Sequence, residues 1–133
     1  MANRRLQNMG INVRRGLYDY ELKEYARKFK ISHFRDVYDR QNLPSSPPLQ
    51  YEAFIVNLDD VENPGTHWVA IRKIRNLVIY FDSYGDLPPP REILRYFRHY
   101  DIYFNHKNFQ SDNSIICGQL CLEFLINTST LQM

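Results

Sequence analysis

Between Tyr18 and Lys30, Leu22, Tyr25, Ala26 and Phe29 fall at i, i+3, i+4 and i+7 among charged residues. That spacing predicts an amphipathic helix, with Asp19 as its N-cap. Residues 31–50 hold Pro44, Ser45, Ser46, Pro47 and Pro48 and are expected to be a connecting loop. The pattern then changes. Glu52 to Leu58, His67 to Ile74 and Leu77 to Asp82 are nearly continuous runs of branched and aromatic residues. Such runs suit central strands covered on both faces. Only Arg75 and Asn76 separate the last two runs, so a hairpin is expected there. After Pro88, Pro89 and Pro90, the segment Arg91 to Tyr100 places Ile93, Leu94 and Phe97 on one helical face, and Ile102 to Phe104 fits a short further strand. A last helix is expected to be capped by Asn113 or Ser114 and to run through Cys117 to about Ile126, with Leu120, Cys121, Phe124 and Leu125 as its apolar face. Strands and helices segregated in this way indicate an α+β class, a central mixed sheet flanked by helices.

The 133 residues suffice for one domain with a real core. The division expected is a basic N-terminal arm, 1–16, followed by a single domain over 17–133. The arm carries Arg4, Arg5, Arg14 and Arg15 against no acid. It is a candidate for weak nucleic-acid contact, although a frayed terminus is the plainer reading. The net charge of +2 is too small to indicate nucleic-acid binding by itself. The two cysteines, Cys117 and Cys121, lie one helical turn apart and cannot staple distant parts of a fold. A reducing compartment is expected. The N-terminus lacks the apolar run of a signal peptide, and no apolar run has the length of a membrane span. The expectation is a soluble protein without a membrane partner.

Four residues carry candidate chemistry. At the start of a helix, unpaired backbone N–H groups and the helix dipole favour a thiolate, which makes Cys117 a candidate nucleophile. Gly118 leaves room beside that sulfur for a substrate carbonyl. A buried structural cysteine is the plain alternative for Cys117, and the stronger reading for Cys121. A metal site would need further ligands beside the two thiols, and none cluster with them. His67 opens a strand after Pro64-Gly65-Thr66, where it can project from the sheet end. His33, His99 and His106 read as surface or packing residues. If the hairpin forms about Arg75 and Asn76, Asp82 lands beside His67, where a carboxylate orients an imidazole. The alternative is an ordinary turn aspartate. Gln110 lies in a polar loop seven residues before Cys117, within reach for an amide that donates to a developing oxyanion.

Each residue is weak alone. In order, His67-Trp68, then Phe81-Asp82-Ser83-Tyr84-Gly85, then Gln110 and Ser114-Ile115-Ile116-Cys117-Gly118, they form a specific set. The set resembles the adenovirus maturation protease (adenain) family and its relatives in Polinton-type elements and other small DNA viruses. That family shares its catalytic architecture with SUMO-deconjugating proteases. The likeness is strongest from Gly65 to Leu125 and extends to 17–44. It implies the adenain/ubiquitin-like-protease fold, with the nucleophile at the N-terminus of a central helix. It also implies His67 as general base, Asp82 as third triad member, Cys117 as nucleophile and Gln110 as oxyanion residue. Trp68 matches the aromatic that follows the family's histidine, and with Gly118 it is expected to border the substrate.

The chain departs from the adenovirus enzymes in three ways. It has Asp82 where they carry Glu. It ends soon after the cysteine helix, where they continue. It also has no further cysteine to tether their cofactor peptide, so no disulfide-linked cofactor is expected, and either activity alone or non-covalent stimulation by nucleic acid through the basic arm stays open. What the resemblance implies is a monomeric thiol endopeptidase that cuts capsid or other structural precursors during particle maturation, after Gly-containing sites. The implied locations are the virion and the infected cell, with the nucleus as a candidate. An isopeptidase acting on a ubiquitin-like modifier shares the same core residues and stays open. So do a non-catalytic virion or interaction protein on a protease fold and an acetyltransferase using the same triad.

Overall fold

The apolar runs become the middle of a sheet. The computed structural model describes residues 2–59, 67–110 and 115–131. The elements are α1 (Ala2–Asn8), α2 (Asp19–Lys28), β1 (Phe34–Asp39), β2 (Tyr51–Asn57), β3 (Trp68–Ile74), β4 (Leu77–Phe81), α3 (Arg91–Tyr96), β5 (Ile102–Phe104) and α4 (Cys117–Thr128). The strands form one mixed sheet in the order β1-β2-β3-β4-β5. The pairs β2–β3 and β3–β4 are antiparallel, whereas β1–β2 and β4–β5 are parallel. The hairpin forms as expected: Ile74 pairs with Leu77, and Arg75 takes a left-handed φ of 54° in the two-residue turn.

Strand alternation sends side chains into two cores. Ala53, Ile55, Trp68, Ala70 and Phe81 pack with Leu6, Leu22, Ala26 and the buried side of α4. Phe54, Val56, Val69, Ile71, Val78 and Tyr80 pack with Ile93, Tyr96 and Phe97 of the α3 region. Helices α1, α2 and α4 therefore cover one face and α3 the other. This is the α+β arrangement of a mixed sheet with helices on both sides.

Several expectations are corrected. Residues 31–50 are not all loop, because β1 lies within them. Its side chains are half-buried rather than fully buried, so this edge strand has no apolar run to announce it. The cap of α2 is Tyr18 rather than Asp19, and Glu21 accepts the Tyr18 N–H at 3.0 Å. Helix α3 stops at Tyr96, and a turn carries Phe97 to Tyr100. The cap of α4 is Ile116 rather than Asn113 or Ser114; those two residues, and the turn foreseen at Pro64 to Thr66, lie outside the described residues.

Residues 2–16 are not a frayed terminus. Leu6 and Ile11 are buried, as is Leu17 directly after the segment. The buried Gln119 side chain of α4 donates to the carbonyls of Asn12 (3.0 Å) and Arg15 (2.8 Å). Arg5 pairs with Glu123 and Arg15 with Glu21, so two of the four arginines are held in ion pairs. Among the described residues no helix is long and apolar enough to cross a membrane.

Candidate active site

Three expected residues meet where β3 begins, β4 ends and α4 begins. The backbone of His67 is pinned to the end of β2: its N–H donates to Asp59 Oδ2 and its carbonyl accepts from Leu58 N, both at 2.9 Å. The side chain is thereby held at the sheet end, with Nε2 at 3.1 Å from both carboxylate oxygens of Asp82. Nδ1 remains for the sulfur of Cys117, with which the imidazole also hydrogen-bonds. The Tyr84 ring lies over the imidazole, 5.1 Å between centroids. From the next residue along, the Trp68 N–H points at Cys117 Sγ, 3.5 Å away. Cys117 is the first residue of α4, directly after Ile116, where backbone N–H groups have no partner within the helix.

Asp82 stands beside His67 and also closes a turn. Its backbone carbonyl accepts from Gly85 N at 2.9 Å, closing a turn, and its Oδ1 accepts from Tyr84 N at 3.0 Å. The turn aspartate is thus also the partner of His67, and the turn fixes its orientation. Gly85 has a φ of 79°, and a side chain there would collide with the backbone of His106 and Lys107.

The charge on the imidazole follows from these neighbours. Burial works against the imidazolium, but the Asp82 carboxylate and the Cys117 sulfur outweigh it. They push the His67 pKa up to about 9. One helical turn further on, Cys121 is fully buried, and burial raises its thiol well above the ordinary range. Both cysteines are buried in the same core, but Cys117, 5% exposed, stands at the helix start beside an imidazole, whereas Cys121, one turn deeper, is fully sealed.

Gln110 is joined to the site through Ser83. The buried Ser83 hydroxyl donates to Gln110 Oε1, and Ser83 O accepts from Phe109 N at 2.7 Å. With the carbonyl end engaged, the amide nitrogen is the other end of the Gln110 side chain.

Gly118 and Trp68 meet for a different reason from the one expected. A Cβ on Gly118 would stand 3.1 Å from Trp68 Cδ1 and 3.3 Å from Leu22 Cδ2. The space beside this glycine is filled by the indole and Leu22 rather than left for a substrate carbonyl. Trp68 is itself a buried core residue, so on this side it is packing and not an open wall. Gly118→Ala is expected to push the indole by a few tenths of an ångström, destabilise the fold by about 1–3 kcal/mol and disturb the Trp68 N–H contact with Cys117. Urea unfolding, together with the alkylation rate of Cys117, checks this. Wild-type values for both would contradict it.

Asn105 carries no signal in the sequence. The parallel ladder of β4 and β5 reaches Tyr80 and Phe104, and the Asn105 side chain extends it. Its Oδ1 accepts from Asp82 N at 2.9 Å, and its Nδ2 donates to Asp82 O at 2.6 Å. The amide clamps the backbone of the residue that holds His67. Among the described residues no cluster of three His, Cys, Asp or Glu side chains is placed to hold a metal ion.

The fold has solved counterparts. The crystal structure of selenomethionine ASFV pS273R protease superposes with a TM-score of 0.59, at 16% identity, over 91% of this chain and 61% of that one. The chain thus has the fold of a protease and spans about three-fifths of its length. No protein-family model and no curated sequence matches the chain.

Proposed function

We propose that this chain is a cysteine protease in which Cys117 is the nucleophile, His67 its base, Asp82 the orienting carboxylate and Gln110 an oxyanion donor. The observation that carries the reading is the single imidazole that bridges a buried carboxylate and the sulfur of the first residue of α4. The likeness of fold to a protease supports it.

The chemistry follows from the two ring nitrogens. Nε2 is committed to Asp82, so Nδ1 faces the thiol and takes its proton. The thiolate then attacks the scissile carbonyl, and the C–N bond is the one that finally breaks. Negative charge on the carbonyl oxygen is met by the Cys117 N–H and the Gln110 amide. The imidazolium returns its proton to the departing amine, and water, deprotonated by His67, releases the acid from the sulfur. Within this reading the arrangement is of the adenain/ubiquitin-like-protease kind, and the substrates are viral structural precursors cut at Gly-containing sites during particle maturation.

The test is a cleavage profile on a peptide library and on a ubiquitin-like-modifier conjugate, with Cys117→Ala as control. Cleavage by wild type after Gly, abolished in Cys117→Ala, is expected. Turnover that persists in Cys117→Ala removes Cys117 from the mechanism. Preference for the modifier conjugate replaces the maturation substrates by isopeptidase substrates.

A further inference from the structure

On the sheet face opposite α4, the two parallel strand pairs require crossovers. One is the proline-rich segment 40–50 between β1 and β2; the other contains α3, between β4 and β5. Leu43 of the first and Ile93 of the second pack on the same core, so both crossovers lie on one face. Between them is a cleft of about 690 Å³. Its charged lining is Arg40, Arg91, Arg95 and Arg98 against the single carboxylate of Glu92, with His99 beside them. Glu92 is already engaged by Arg40 at 3.1 Å. Arg91, Arg95 and Arg98 are exposed.

The cleft has a direction. Arg40 follows β1, and its Nη1 donates to the Leu58 carbonyl at 2.9 Å. Leu58 N in turn donates to the His67 carbonyl. Arg40 and the start of α3 thus stand at the sheet end that carries His67. Arg98 and His99 stand at the other end, just before β5. A chain crossing the sheet end at Cys117 can continue into the cleft.

We propose that this cleft docks an acidic segment of a polypeptide, and that the segment belongs to the substrate at a distance from the bond cut. The second half of the statement rests on the protease reading; the first does not. Arginine forks match carboxylates in a bidentate manner. Single-stranded nucleic acid fits less well, because it uses open aromatic faces as stacking platforms. Here the Tyr100 ring already carries the Lys73 ammonium at 4.4 Å from its centroid. The Tyr96 hydroxyl is bound to Glu52, and its ring packs on Phe54 and Phe97.

The experiment measures fluorescence anisotropy of a labelled twelve-residue Asp/Glu-rich peptide with full-length Cys117→Ala protein, which removes turnover from the measurement. Saturable binding is expected, weakened by salt and reduced tenfold or more in Arg95→Glu/Arg98→Glu. Arg4→Glu/Arg14→Glu, which reverses exposed charges elsewhere, should bind as before. No binding, binding indifferent to the Arg95/Arg98 reversal, or tighter binding of an oligothymidylate of equal charge overturns the proposal. A second arm separates the two readings. In the protein with Cys117 intact, Arg95→Glu/Arg98→Glu should raise KM for a substrate with an acidic extension and leave cleavage of a short neutral peptide unchanged. Equal KM values refute the substrate role of the cleft while leaving the protease reading in place. Absence of all cleavage alongside intact peptide binding refutes the protease reading and leaves the docking site.

Discussion

Asp82→Asn is expected to lower kcat/KM by on the order of 10²-fold or more near neutral pH while leaving the fold intact. The geometry gives the reason. His67 Nε2 lies equally close to both carboxylate oxygens, and Tyr84 N–H donates to one of them. In the amide, Tyr84 N–H claims the remaining oxygen, so the NH₂ faces Nε2. Two donors then confront each other unless the imidazole changes tautomer. The change places the proton on Nδ1, toward the sulfur, where it can no longer accept the thiol proton. The pH profile should move as well. The His67 pKa is raised, so its imidazolium persists up to about pH 9 and activity should fall as pH rises through that value. Without the carboxylate, burial opposes the charge with less to balance it, so the alkaline limb of Asp82→Asn should lie at lower pH. Asn105→Ala, which frees the Asp82 backbone, should shift the limb in the same direction by less. A limb unchanged in Asp82→Asn would separate Asp82 from the ionisation that controls the rate.

The largest expected effect on stability comes from Arg72. This β3 residue is buried, and no carboxylate among the described residues bonds it. It donates instead to Ser32 O at 2.6 Å, Leu125 O at 2.8 Å, and the hydroxyls of Thr128 and Ser129 at 3.2 Å. Leu125, Thr128 and Ser129 form the C-terminal end of α4, where a cation meets the negative end of the helix dipole. Burial lowers the guanidinium pKa to about 10, so the group is still charged at neutral pH. The residue therefore ties one end of α4 to the sheet, while Cys117 stands at the other. Arg72→Met keeps the apolar stem and strands buried carbonyls, at a cost of about 2–5 kcal/mol. Arg72→Lys should recover only part, because an ammonium cannot fork to several acceptors. Urea midpoints of the three proteins test this, and a midpoint for Arg72→Met equal to wild type would contradict it.

What was legible in the sequence was whatever depends on neighbours along the chain. The runs Glu52 to Leu58, His67 to Ile74 and Leu77 to Asp82 are buried on both faces, so their apolar continuity identifies them. The two-residue turn between the last two brings His67 and Asp82 to one sheet end by local geometry alone. Strand β1 has no such signal, because Arg35-Asp36 and Val37-Tyr38 fall in like pairs that break the alternation a half-buried edge strand would show. Helix α1 escaped because its ion pair to Glu123 and its burial against α4 depend on residues more than a hundred positions away. Asn105 was invisible for the same reason: its role exists only once β5 has crossed over to lie parallel to β4. Gly118 marks a place lacking a side chain, but what fills that space depends on the position of Trp68, fifty residues away along the chain.

Brief treatment with iodoacetamide near neutral pH, read by mass spectrometry, tests the central claim most directly. Both cysteines are in the same protein and one turn apart, so each serves as control for the other. Cys117 should be modified quickly, and His67→Ala should slow it by tenfold or more, because the imidazole that draws the proton is gone. Cys121, fully buried and with its thiol raised by burial, should stay unmodified until the protein unfolds. Equal labelling of the two cysteines, or a Cys117 rate indifferent to His67, would contradict the assignment of this site.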